Sequence, residues 1–311
     1  MLLKEIIEIC DLMDNPKACG NSLDELFNGL DIPDIEIETL HGENGKTDVV
    51  HILVPGVLGK TAGGSAPTLG ILGTLGGLGA RPEAMGLVSD GDGAFVSMAA
   101  ALKLARMRTR GDICPGDVII STHICPDAPT QPHEPTPFMG SHVGIFEQIK
   151  AEIDPQMDAI LSVDATKGNR VVNHTGFAIS PTVHGMYILR TSEDLLRIQE
   201  SVTADHPVVF PITTQDITPY GNGVYHLNSI MQPSVLAQCP VVGVAITAKS
   251  PVAGCATGAA MPLSLELATR FCVEVAKSFT AGNCSFYDQE QYALLQKLYG
   301  SMDHLRTGGS E

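Results

Sequence analysis

The chain has 311 residues, 44% of them hydrophobic, with 35 Asp and Glu against 19 Lys and Arg and a net charge of -16. That apolar content is enough for a substantial core and excludes a globally disordered chain. So acidic a surface repels phosphate backbones and anionic lipid, which argues against nucleic acid and membrane as partners and favours cations or cationic substrates.

No uninterrupted apolar run reaches the roughly 20 residues that span a bilayer. The N-terminal MLLKEIIEICDLMDN is amphipathic and acidic, unlike a secretory signal, so a soluble cytoplasmic protein is expected. Eight cysteines without any C-x-x-C pair read as reduced, mostly buried thiols. The absence of Trp and an aromatic content of 5% argue against stacking platforms for bases or extended sugars.

In chain order, apolar residues at Leu2, Leu3, Ile6, Ile7, Ile9, Cys10 and Met13 have helical spacing, and Asn15-Pro16 stops that helix. Ser22-x-x-Glu25 is a capping-box pattern that opens a second helix reaching about Leu30. Ile35, Ile37 and Thr39, a GENG turn and the run Val49–Val54 predict a β-hairpin, with His51 as a hydrogen-bonded strand residue. Gly59-Lys60-Thr61 imitates a phosphate loop, but Val54 stands where that loop needs its first glycine. The Gly-rich stretch over 56–79 is instead a close-packed loop followed by a Gly-rich helix over about Pro67–Leu78.

Residues 86–129 organise the rest. A short strand, Leu87–Asp92, leads to a small-residue helix, Ala94–Met107, and a turn with Gly111, Pro115 and Gly116 precedes a buried strand, Asp117–Thr122. A strand–helix–strand unit of this kind sets its strands parallel, so the clusters at their ends, Asp90/Asp92 and His123/Asp127, open on one sheet edge. Four prolines between Pro129 and Pro137 stiffen the next loop, which carries His133, Glu134 and His142. A helix over Gly144–Ile153 and a strand over Ala159–Val163 follow, and Asp164 is a third acid at a strand end. Strands over about Val171–Ile179, Thr182–Leu189 and Pro240–Ile246 are expected, with helices from Ser192, within GCATGAAMPLSLELATRFCVEVAKSF and over about Asp288–Tyr299. No linker or repeat divides the chain, so 1–311 reads as one α/β domain, with the helices and hairpin of 1–55 packed on its core. Each candidate has a plainer reading: Asp90 caps a helix, Asp127 sits in a solvated turn, and the loop histidines are only hydrogen-bonded.

The order of these elements resembles the co-catalytic di-zinc aminopeptidases, the clan of glutamyl aminopeptidase. VSDGDGAFVSMAAALKLA is similar to the clan's Asp-Asp/Asn-x-x-Gly and Ala/Leu-rich helix, which puts Asp90 on the metal-bridging aspartate. PGDVIISTHICPDAP is similar to the strand ending in its Glu-Glu pair, with Asp127 on the ligand carboxylate and Pro126 on the catalytic base. AILSVDA is similar to the strand giving the next ligand, Asp164. PVVGVAITAKSPVAG resembles the last ligand strand, with Lys249 or Ser250 where the clan has His. The chain departs at the first His-x-Asp, where it has Val54-Pro55-Gly56. It also resembles an uncharacterised bacterial and archaeal family of similar layout.

The resemblance implies a three-layer α/β/α sandwich with a mostly parallel central sheet. It implies a divalent metal on Asp90, Asp127 and Asp164, either zinc or a harder ion such as magnesium or manganese, which an all-carboxylate set favours. Glu134 and His123 are the candidate catalytic groups, and His133, His142 and Lys249 the candidate substrate-binding ones. His123, His133 and His142 could also restore nitrogen ligands. The expected function is a metal-dependent hydrolase of a small peptide-like or amide substrate, with a non-catalytic small-molecule-binding or assembly protein as the alternative and a homo-oligomer as the expected state.

Overall fold

The computed structural model describes residues 2–74, 76–132, 137–166, 168, 170–212, 229–250, 258 and 260–306. In chain order, α1 (Leu3–Met13) and the short α2 (Asp24–Phe27) lead into the hairpin β1 (Glu36–His41) and β2 (Lys46–Val54). Then come β3 (Leu69–Gly73), α3 (Asp92–Thr109), β4 (Val118–Ile124), the small pair β5 (Thr130–Gln131) and β6 (Phe138–Met139), α4 (Ile145–Glu152) and β7 (Ala159–Ala165). The chain continues through β8 (Gly176–Ile179), β9 (Val183–His184), β10 (Tyr187–Ile188), α5 (Glu193–Thr203), α6 (Pro233–Leu236), β11 (Val241–Thr247), α7 (Pro262–Thr280) and α8 (Gln289–Tyr299).

The main sheet runs β1-β2-β4-β3-β7-β11-β9-β10, with β8 also on β11. Its four central strands, β4, β3, β7 and β11, are parallel, whereas on one side β2 pairs antiparallel with β4 and β1 with β2, and on the other β8 and β9 pair antiparallel with β11 and β10 with β9. The sheet is therefore mixed, not mostly parallel. The hairpin at one edge and the short strands at the other return without a crossover helix, so they pair antiparallel. In β4, β7 and β11 every residue but Ala165 is buried, as expected of strands covered on both faces. Ile120, Ile71, Val163 and Val244 pack with α1, α3 and α7 on one face. Ile119, Leu72, Ile160 and Val241 pack with Phe210 and Met231 on the other. α4 also lies on this second face, where the His51 ring donates to the Ala151 carbonyl (2.9 Å).

Two predicted elements are overturned. The Gly-rich helix over Pro67–Leu78 is the strand β3 at the centre of the sheet. Glycine is a poor helix former, and the run from Leu69 to Gly73 is buried throughout. Its glycines are sites of close approach: a Cβ on Gly70 would stand 2.4 Å from the Met157 sulfur, and one on Gly73 would stand 2.5 Å from Ser97 Oγ. The strand over Leu87–Asp92 is also absent. Ser89–Gly91 form a 3-10 turn that runs straight into α3, and β3 takes the place of the expected parallel partner of β4. The capping-box reading of Ser22 is corrected too, because its hydroxyl accepts from Cys19 N at 3.1 Å as part of a 3-10 turn, Gly20–Leu23, that precedes α2. The hairpin is as expected, paired from Glu36↔His51 to His41↔Lys46, and so is His51, whose other ring nitrogen lies 2.8 Å from Ser121 Oγ. β8 to β10 are shorter than the expected strands.

The phosphate-loop lookalike lies at the opposite end of β4 from its carboxyl terminus and already holds an anion of its own. The Asp117 carboxylate, 1% exposed, accepts from Gly56 N (2.8 Å), Thr61 N (2.9 Å) and Thr61 Oγ1 (2.7 Å). Lys60 pairs with Asp158 at 2.7 Å instead of reaching toward a phosphate. Replacing Asp117 with Ala strands the buried Gly56 N and unties Thr61, and the expected loss is about 3 kcal/mol in a urea titration. The same titration on the wild type should not shift with magnesium and a nucleoside triphosphate, and a shift would restore the phosphate-loop reading.

Candidate metal centre

The carboxyl ends of β3, β4, β7 and β11 open on one edge of the sheet, because these strands are parallel. The chain reverses its order there, with β4 on one side of β3 and β7 on the other, the place where open α/β sheets form crevices. Leaving β4, the chain enters a turn clasped by the segment that follows β3. Cys125 bridges to Gly77 and Asp127 to Ala80, Leu78 N donates to Cys125 O (2.9 Å), and Arg81 Nη1 donates to Pro126 O (3.0 Å). Cys125 is buried among Ala80, Val88, Ala128 and Met139.

His142 reaches this turn from the far end of the Pro-rich segment. The hairpin turn between β1 and β2 seats it: a Cβ on Gly42 would collide with the His142 carbonyl oxygen at 1.5 Å, and one on Gly45 would meet ring Nδ1 at 2.4 Å. The glycines of GENG are therefore required by close approach, since neither has a left-handed φ. His142 Nε2 lies 3.1 Å from Asp127 O and 3.7 Å from Asp127 Oδ1, and Cys125 Sγ is 3.8 Å from the same Oδ1. Among the described residues, Cys125, Asp127 and His142 are the one group of three such side chains whose ligand atoms all lie within 4.8 Å. The Asp127 side chain is 60% exposed and that of His142 only 8%, so the group opens to solvent on the aspartate side.

Asp90 is half-buried in the 3-10 turn before α3, with its carboxylate 3.8 Å from where a Gly77 Cβ would stand. Asp164 is 1% exposed on β7, beside Ala245 of β11, and accepts from Ala165 N at 2.6 Å. Neither belongs to the group on Asp127. His123 is also outside it: alternation along β4 turns the ring toward α4, where it meets Glu152 Oε1 (3.1 Å) and Gln148. Lys249 is exposed just beyond β11. His133 and Glu134 lie outside the described residues. Cys125 is the member that sequence reasoning left among the structural thiols. Its only signal was its place directly after a buried strand and two residues before an acid.

The sequence profile of one family matches residues 38–309, which takes in the whole parallel sheet and the Cys125–Asp127–His142 group. The chain belongs to this family, described as protein of unknown function DUF1177. No curated protein matches the chain. No helix among the described residues is long and apolar enough to cross a membrane.

Burial pushes the Cys125 thiol up to about 12, and the neighbouring Asp127 carboxylate adds to the shift. Cys10, Cys239, Cys272 and Cys284 are also pushed up to about 12, chiefly by burial. Below about pH 9 these thiols are protonated both folded and unfolded, so their contribution to stability is fully present. As the pH rises toward 12 the unfolded chain sheds protons that the native chain keeps, and stability falls by up to about 1.4 kcal/mol per pH unit for each thiol. Urea midpoints should therefore drop steeply between about pH 9 and pH 11, whereas a flat profile would mean that the thiols are hydrated in the native state.

Proposed function

We propose that this chain is a metal-dependent hydrolase of a small peptide-like or amide substrate, in which Cys125, Asp127 and His142 hold one divalent ion of the zinc class. The observation that carries the reading is the convergence of a thiol, an imidazole and a carboxylate within 4.8 Å at the carboxyl edge of the sheet. Bonds of about 2.3 Å to sulfur and about 2.0–2.1 Å to nitrogen and oxygen around a tetrahedral ion give ligand–ligand edges of about 3.3–3.6 Å. The 3.8 and 3.7 Å edges on Asp127 come within a few tenths of an ångström of that. A thiolate and an imidazole select zinc over magnesium or manganese, which narrows the choice that carboxylates alone leave open.

Three protein ligands and an open side suit a catalytic more than a structural zinc site, and such an ion supplies Lewis acidity and an acidified water. The chain's own part is to hold the ligand turn rigid and keep one side of it accessible. Arg81 and the Gly77–Ala80 segment do the first, and the exposed Asp127 does the second. Pro126 has no basic atom, so general-base chemistry falls to another residue, and Glu134, between Asp127 and His142 in the sequence, is the candidate. The parallel strands that open on this edge support the zinc-exopeptidase resemblance as a proposal. His142 Nδ1 is buried without a hydrogen-bond partner among the described residues, which supply no outer acceptor of the kind that usually orients a zinc-bound histidine. Affinity should accordingly fall about 10–100-fold short of a fully supported site.

Titration calorimetry of chelator-stripped protein should show one zinc per chain and no comparable magnesium binding. Binding should be tighter at about pH 8 than at about pH 6.5, because the ligands must shed protons. Cys125→Ser and His142→Ala should each weaken zinc at least about 100-fold while leaving the urea midpoint in chelator within about 1 kcal/mol of wild type. Zinc-dependent cleavage of a small peptide or amide panel, lost in both variants, would support the hydrolase. Zinc binding without turnover of any member would keep the metal centre and overturn the catalytic reading.

A further inference from the structure

α8 is held to the body by one side only. Its N-cap Asp288 accepts from Gln291 N (3.0 Å), Tyr292 stacks on His184 with ring centres 4.2 Å apart, and the Tyr187 hydroxyl donates to Leu295 O (3.2 Å). None of its 11 residues is buried. Leu294 is 53% exposed and Leu298 60%, and the two are four residues apart, hence neighbours on one stripe. At about 100° per residue that stripe is turned roughly 110° away from the side carrying Tyr292 and Leu295. Glu290 and Lys297, both exposed, lie together on its solvent flank. Single exposed leucines need no explanation, but two on a stripe bordered by one acid and one base at opposite ends form a pattern.

That pattern is self-complementary. When two identical helices pair antiparallel about a two-fold axis, each flank faces the same flank of its neighbour. With the axis beside Leu294, the middle residue of α8, position 290 falls opposite 297–298. Glu290 then meets Lys297 of the partner subunit, and the same contact repeats on the other side. We propose that α8 is a homodimer interface, in which two copies pair antiparallel with Leu294 beside the two-fold axis, Leu298 against the first turn of the partner helix and two Glu290–Lys297 ion pairs on the flank. A second copy is the occupant because its two-fold image sets a Lys297 against each Glu290 with no other group required. A chain of net charge -16 can approach another copy of itself only where charge is absent or compensated, and this stripe is such a place. At about 1.5 Å per residue the helix is roughly 16 Å long, so the contact falls at the small end of specific interfaces and the dimer should dissociate in the micromolar range.

Sedimentation equilibrium of the full chain from about 1 to 200 µM should show a reversible monomer–dimer equilibrium. Leu294→Glu should weaken the dimer at least about 30-fold, leaving monomer over most of that range. Glu290→Lys and Lys297→Glu should each weaken it about 10-fold by setting like charges opposite one another, and the double variant should return to within about threefold of wild type. All four positions are exposed, so urea midpoints should be unchanged, which separates lost pairing from lost folding. A wild type that stays monomeric to the highest concentration would overturn the proposal. So would a dimer indifferent to Leu294→Glu, or single charge variants whose losses simply add in the double variant.

Discussion

Two glycines let α3 lie directly on the backbone of the sheet, and the rest of the structure depends on that contact. A Cβ on Gly73, at the end of β3, would meet Ser97 Oγ, Thr122 Oγ1 and the Gly93 carbonyl at 2.5–2.8 Å. A Cβ on Gly93, in the first turn of α3, would stand 2.3 Å from the Val163 carbonyl oxygen. Backbone cannot move aside as a side chain can, so both positions exclude any larger residue. The contact pins the start of α3 over β3 and β7, where Thr74 N donates to Val163 O and Thr74 Oγ1 meets Ser162 Oγ. It thereby fixes the edge on which the chain must turn after every parallel strand.

Cys125, Asp127 and His142 gather on that edge through three elements distant in sequence. The segment after β3 clamps the turn that leaves β4, and the β1–β2 hairpin turn presses on His142 from the side. The thiol is buried, the imidazole nearly so, and the carboxylate faces water. This gradient suits capture of a cation from solvent, because the exposed acid meets the ion before the buried thiol loses its proton.

The excess of acid in the composition divides between structure and surface. Asp117 closes the glycine loop before β4, Asp48 accepts from Gly20 N and Thr39 Oγ1, and Glu266 accepts from Leu2 N while pairing with Arg270. These buried carboxylates each tie together segments far apart in the chain, or different strands. An acid at the end of an apolar run is thus as readily a backbone staple as a metal ligand. Asp117 and Asp127 flank the same strand and differ in this respect.

The sequence by itself determined much of the fold. The hairpin, α1, α3, α5, α7, α8 and the three buried strands β4, β7 and β11 follow from apolar periodicity and turn residues, which act over a few neighbours. It also gave the place of Asp127 beyond β4 and the exclusion of a phosphate loop. It did not show that LGILG is the central strand, since glycine there answers to Met157, Ser97 and Thr122 and not to any local preference. Only the tertiary structure decided which residues meet at the edge. Cys125 reads as one more buried thiol, and His142 as one of several loop histidines, until β3, β4 and the hairpin are set side by side. Ligand sets depend on distances across strands, and pairing order in a mixed sheet is fixed by packing on both faces at once, which no local pattern encodes.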